Sequence, residues 1–132
     1  MNRTCTAPPT ESRTTNQPAV TNRPARWDVA LADFPFTDLS AVKVRPVVVL
    51  AMSGTSDLVA AFITSRPQPA RFDHVEIAPA DPEFRVTGLH RASVVRISRL
   101  ATLDASLLVS RLGTVGPATR SRIVTALRLL LL

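Results

Sequence analysis

One arginine and one Thr-Ser pair stand at the ends of two apolar runs in this chain: Arg45 in KVRPVVVL and Thr64-Ser65 in AAFITS. Each run is β-branched and uninterrupted, the pattern of a strand buried on both faces, and each ends where the chain turns polar. A guanidinium is a permanent cation on a planar fork of donors that matches two phosphoryl oxygens. A threonine hydroxyl adds one compact donor. Together they suit a site where negative charge grows on phosphorus, so a phosphodiester is the expected ligand. The bland reading makes Arg45 a solvated charge at a strand entry and Thr64 an ordinary strand former.

A second basic strand follows in SVVRIS, residues 93–98, where two-residue alternation sends Arg96 and Ser98 to one side. The connection between the first two strands holds Thr37, Asp38 and Lys43, and its length is more typical of a functional loop than of a tight hairpin. His74 opens HVEI and His90 lies in TGLHRAS; spacing brings neither to a phosphate, so both read as surface or edge residues. Asp81 and Glu83 lie in a proline-bounded loop and read as solvated. No Cys/His/carboxylate spacing suggests a metal site, and no cofactor is expected.

The elements that must position these groups are mostly strands. Strands are expected at 28–34, 46–51, 58–63, 74–77 and 93–98, with the second and third at the centre of the sheet. Residues 79–84 read as irregular. A short helical turn capped by Asp104 and a last short strand, LGTV, follow. Gly116 and Pro117 open a final helix to Leu132, with Ile123, Leu127 and Leu130 on one face. Its apolar end is expected to pack on the strands and on a second subunit.

Composition supports this scale of fold. Apolar residues make up 45% of 132, while aromatics are only 5%, so the core must come from Val, Leu, Ile and Ala rather than from an aromatic cofactor cavity. Net charge is +6, and residues 1–26 hold Arg3, Arg13, Arg23 and Arg26 against Glu11 alone, half of that total. The remainder is only mildly basic, as suits a polyanion held in a groove rather than across the whole surface. Residues 1–26 are rich in Thr, Pro, Asn and Arg and are expected to be a disordered tail. Their composition resembles a transit peptide, yet four prolines oppose the amphipathic helix such peptides form. The single Cys5 allows no intrachain disulfide, and no apolar run approaches the ~18 residues of a membrane span, so a cytoplasmic location is expected.

From Trp27 onward the pieces WDVALADFPFTD, KVRPVVVL, AAFITS, HVEI, TGLHRASVVRISRLATLD and LGTVGP, in this order, resemble the PemK/MazF-like toxin family. The resemblance implies a mainly β (α+β) fold over residues 27–132, an SH3-like small barrel of about five to seven strands with a C-terminal helix. It also implies a metal-independent endoribonuclease of a type II toxin-antitoxin system. The implied partners are single-stranded RNA, a cognate antitoxin with an acidic, partly disordered segment, and a second copy in a homodimer; no membrane is implied. Arg45 and Thr64 are the expected catalytic pair, with Ser65, Arg96, Ser98, Lys43, Asp38 and Thr37 as RNA contacts; Arg96 matches an arginine that is catalytic in the PemK branch. Two departures stand out: Ser98 replaces the aspartate that partners the matching arginine in the PemK branch, and Trp27 replaces the usual glycine. They leave open an inactive SH3-like binding module; a CcdB-like, noncatalytic gyrase-binding toxin on the same fold is the other alternative, although this chain ends RLLLL without the aromatic such toxins carry there.

Overall fold

The computed structural model describes residues 23–35 and 42–132, without the side chains of Phe34, Pro35, Val42 and Lys43. Six strands follow one another: β1 (Asp28–Pro35), β2 (Val42–Met52), β3 (Asp57–Thr64), β4 (His74–Ile77), β5 (Ser93–Asp104) and β6 (Leu108–Thr114). A one-turn helix α1 (Phe84–Thr87) stands between β4 and β5, and α2 (Pro117–Leu131) closes the chain. The strands form one antiparallel sheet in the order β4-β5-β3-β2-β1-β6, so β2 and β3 are the central pair, as expected. The mainly β fold with a C-terminal helix is present. The sheet, however, is not closed into a barrel; β4 and β6 are its edges.

The valine run of β2 explains why both faces of the sheet must be covered. Val47, Val48 and Val49 are all fully buried, although consecutive strand residues point to opposite faces. On one face Val29, Val48, Ala61, Ile63, Val95 and Ile97 pack with Ile123 and Ala126 of α2. On the other, Val47, Val49, Leu58, Ala60 and Leu103 form a smaller cluster with Leu107 and Leu108 beside it. Burying an Ile or Leu side chain stabilises a fold by about 1.5–3 kcal/mol, so Ile123 alone is a substantial anchor for the helix.

Several elements extend beyond their expected limits. β2 starts at Val42 rather than Pro46, because pairing of Val42–Val44 with Asp33–Pro35 of β1 carries the ladder outward. β5 runs through RLATLD to Asp104, since its second half pairs with residues 57–61 of β3 after a register shift. Asp104 then caps a 3₁₀ turn at Ala105–Leu107 as expected, its carboxylate accepting from the Ser106 N–H at 2.9 Å and the Ser56 hydroxyl at 2.9 Å. The last strand is longer than LGTV because Leu108–Ser110 already pair with β1.

Two sequence expectations need correction. A helical turn starts at Phe84, the last residue of the stretch expected to be irregular, and runs to Thr87. Glu83 is no solvated loop acid: its carboxylate accepts from the backbone N–H of Ala118 (3.0 Å) and Thr119 (3.2 Å) and from the Thr119 hydroxyl (3.3 Å). Gly116 has no side chain to cap α2, and Glu83 fills that role from 35 residues away. Asp81 faces Arg122 at 3.7 Å and accepts from the Ala78 N–H.

Trp27 explains its own departure from glycine. Its φ of 76° lies in the left-handed region, which costs a side-chain-bearing residue roughly 1–2 kcal/mol. Its N–H donates to the Val49 carbonyl at 2.7 Å and its own carbonyl accepts from the Val115 N–H at 2.9 Å. The indole lies under the Arg120 guanidinium, 5.8 Å from its carbon. These contacts hold the strained turn.

Two predictions test these devices. Gly88 has φ 74°, and a Cβ there would overlap the Leu112 carbonyl, so Gly88→Ala should lower unfolding free energy by about 2–3 kcal/mol in denaturant titration. The Ala118 N–H, then the Thr119 contacts, hold the Glu83 carboxyl below its ordinary 4.5. A depressed folded value means stability that is complete above 4.5 and is lost as pH falls through the folded value. The wild-type melting temperature should therefore drop more steeply below pH 4.5 than that of Glu83→Gln, which starts lower at neutral pH.

Candidate nucleic-acid cleavage site

The antiparallel ladder decides which side chains meet. Val47 of β2 faces Phe62 of β3, Phe62 faces Arg96 of β5, and Arg96 faces His74 of β4. Directly opposed residues share a face, so these four form one row across four strands. Arg45 lies two residues back along β2 and Thr64 two residues onward along β3, which puts both on that same face. The Arg45 guanidinium carbon sits 6.0 Å from the Phe62 ring centroid. The two residues singled out in sequence thus lie on one face of adjacent strands, each two residues beyond the Val47–Phe62 pair.

Both arginines are half-buried, with their Nε atoms shielded from solvent. Arg96 Nε has no hydrogen-bond partner among the described residues. A buried donor left unmatched costs about 1–3 kcal/mol. The Thr64 hydroxyl oxygen accepts from the Arg66 N–H at 3.1 Å. That bond occupies a lone pair and leaves the hydroxyl proton available to a ligand oxygen. Ser65 is exposed at the next position.

Ser98 lies elsewhere. Between Arg96 and Leu100 the β3–β5 register shifts, so the two-residue alternation that would hold Ser98 beside Arg96 is interrupted. Ser98 is exposed and lies near Asp73. Asp73 is 2% exposed; its carboxylate accepts from Arg71 Nε at 2.9 Å, and its carbonyl accepts from the Ile97 N–H. The Arg71 bond is the main cause holding the Asp73 carboxyl below the ordinary aspartate value, with Ser98 a smaller one. Thr37 and Asp38 lie outside the described residues, and so does the side chain of Lys43, whose backbone faces Phe34 in the β1–β2 ladder.

The loop after Thr64 roofs one end of this face. A hollow beside Ser65 and Arg66 and another beside Arg71, His74 and Arg122 share Gln68, Glu76 and Val94, making a continuous trough from the end of β3 to the start of β4. Sequence reading missed this second end. HVEI looked like a plain short strand, and only the register shows that His74 stands opposite Arg96. A separate hollow at the other edge, beside Asp28 and Arg111, contains none of the expected site residues. Among the described residues no three His, Cys, Asp or Glu side chains cluster as metal ligands. No helix among them is long and apolar enough to cross a membrane.

Comparisons with known proteins bear on the fold and the family. No curated protein sequence matches the chain. Among solved structures it is similar to an endoribonuclease from a mycobacterial species, at 27% identity over 82% of this chain and 90% of that one, TM-score 0.62. A mycobacterial endoribonuclease in complex with its cognate antitoxin is similar at 26% identity over 81% and 93%, TM-score 0.63. The MazE-MazF structure (Form-III) from Deinococcus radiodurans shares the fold at 21% identity over 81% and 95%, TM-score 0.60. The family model for the PemK-like, MazF-like toxin of type II toxin-antitoxin systems matches residues 25–131, nearly the whole of the described chain, and the protein belongs to that family.

Proposed function

We propose that this protein is the endoribonuclease toxin of a type II toxin-antitoxin pair and that it cleaves single-stranded RNA without a metal, through attack of the ribose 2′-hydroxyl on its own phosphate. The observation that carries the reading is the shared face of Arg45, Thr64 and Arg96, with the Arg96 Nε donor unmatched. Substrate supplies the nucleophile in such a reaction. The protein's part is to hold the linkage in line and to stabilise the charge that gathers on the equatorial oxygens, which preorganised donors in a partly dry groove do well.

Arg45 clamps that charge, with Phe62 beneath its guanidinium. Thr64 donates its free hydroxyl proton to a phosphoryl oxygen, Arg96 supplies a second cation, and Ser65 assists from the adjoining turn. Ser98 serves through Asp73 at the groove's border. Thr37, Asp38 and Lys43, in and beside the β1–β2 connection, contact flanking nucleotides. The toxin domain spans 27–132, and the described Arg23 to Arg26 lead into it.

The antitoxin partner is assigned by charge. An acidic, partly disordered segment laid along the trough would meet Arg66, Arg71 and Arg122, beside the face that carries Arg45 and Arg96. A second copy would cover the apolar end of α2, where Leu129, Leu131 and Leu132 are exposed.

Incubation with a mixed RNA in chelator should yield fragments with 2′,3′-cyclic phosphate and 5′-hydroxyl ends. Arg45→Ala should slow cleavage by about 10²–10³-fold, the scale for losing one donor to transition-state charge. Metal-dependent cleavage leaving 3′-hydroxyl ends would retire the mechanism.

A further inference from the structure

An arginine is a poor base, because its guanidinium stays protonated at any workable pH. A site built from Arg45, Arg96 and a threonine therefore needs another group to take the 2′ proton. We infer that His74 is that general base, an assignment that deepens the ribonuclease reading and rests on it.

Three observations carry this. First, His74 is the direct cross-strand partner of Arg96, the arginine whose Nε lacks a partner, so base and phosphate clamp stand one strand spacing apart on one face. The 2′-oxygen and the phosphorus it attacks belong to one linkage, and this separation suits a pair that must grip both. Second, the imidazole tautomer is set. Nδ1 lies 2.7 Å from the Pro69 carbonyl oxygen, which can only accept, so Nδ1 carries the proton and Nε2 presents its lone pair. No group among the described residues occupies Nε2. Third, His74 lines the trough whose other end lies beside Ser65, the residue after Thr64.

The charged groups around it are Arg96 from β5, Arg71 from the preceding loop, Arg122 from α2 and Glu76 on its own strand. Glu76 is the rival base; it is exposed and pairs with Val94, one row away from Arg96. His90 is exposed in the connection after α1 and has no place in the row.

In the step itself the 2′-hydroxyl proton passes to His74 Nε2 as the 2′-oxygen bonds to phosphorus. The bond from phosphorus to the 5′-oxygen breaks, and that oxygen takes a proton from water. His74 then returns its proton to solvent, so the sum is RNA converted to a cyclic phosphate and a 5′-hydroxyl, with no change of oxidation state.

The test compares wild type, His74→Asn and Glu76→Gln on an RNA oligonucleotide in chelator across the range from about pH 5 to 8, where imidazoles titrate. Asparagine keeps a donor near the Nδ1 position for the Pro69 carbonyl while removing the base. His74→Asn should cut the cleavage rate by about 10²–10⁴-fold and lose the rise of rate with pH expected of wild type. It should still bind the 2′-deoxy, uncleavable oligonucleotide within about threefold of wild type, which also reports folding; His74→Ala with added imidazole should regain part of the lost rate. A His74→Asn enzyme with wild-type rate and pH profile overturns the assignment, as does loss of the pH rise in Glu76→Gln alone. A wild type that leaves RNA intact overturns the ribonuclease reading instead.

Discussion

The cross-strand register of β2, β3, β5 and β4 is the constraint on which everything else in this molecule depends. Side chains alternate along a strand, so slipping any one of these strands by a single residue would send its own member of the set Arg45, Thr64, Arg96 and His74 to the face that α2 covers. The slip is opposed by burial. Val48, Ala61, Ile63, Val95 and Ile97 are buried against α2, and Val47, Val49 and Ala60 are buried opposite, so no alternative pairing satisfies both faces.

That constraint also explains where polar chemistry is tolerated. The site face has two regions: a dry cluster around Val47, Val49 and Leu103, and beyond Phe62 a cationic end roofed by the Ser65–Arg71 loop. Phe62 marks the border, packing beneath Arg45 while its backbone neighbours continue the sheet. The register shift between Arg96 and Leu100 lets one long strand, β5, serve both regions, and the same shift sets Ser98 near Asp73. A buried, doubly bonded aspartate there ties the start of β4 to β5 through the Ile97 N–H and so fixes the position from which His74 projects.

Much of the fold was legible because its cause is local. Valine runs specify strands, Gly116-Pro117 specifies a helix start, and Asp104 specifies a cap, each through its own backbone or its nearest neighbours. Order of the strand pieces also identified the family, since that information is linear. Strand ends were less legible. Val42–Val44 and Leu100–Asp104 become strand only because a ladder partner is present, and no single segment carries that fact.

Alone, then, the sequence determined which segments are strands, that the core is aliphatic, and that Arg45 and Thr64 stand near strand ends. Tertiary structure decided what those groups face. Glu83 reads as a loop acid and becomes the cap of α2, 35 residues away; His74 reads as an edge residue and becomes the neighbour of Arg96. Both outcomes depend on contacts between residues far apart in the chain, whose pairing is set by the summed burial of two sheet faces and not by any residue's own preference.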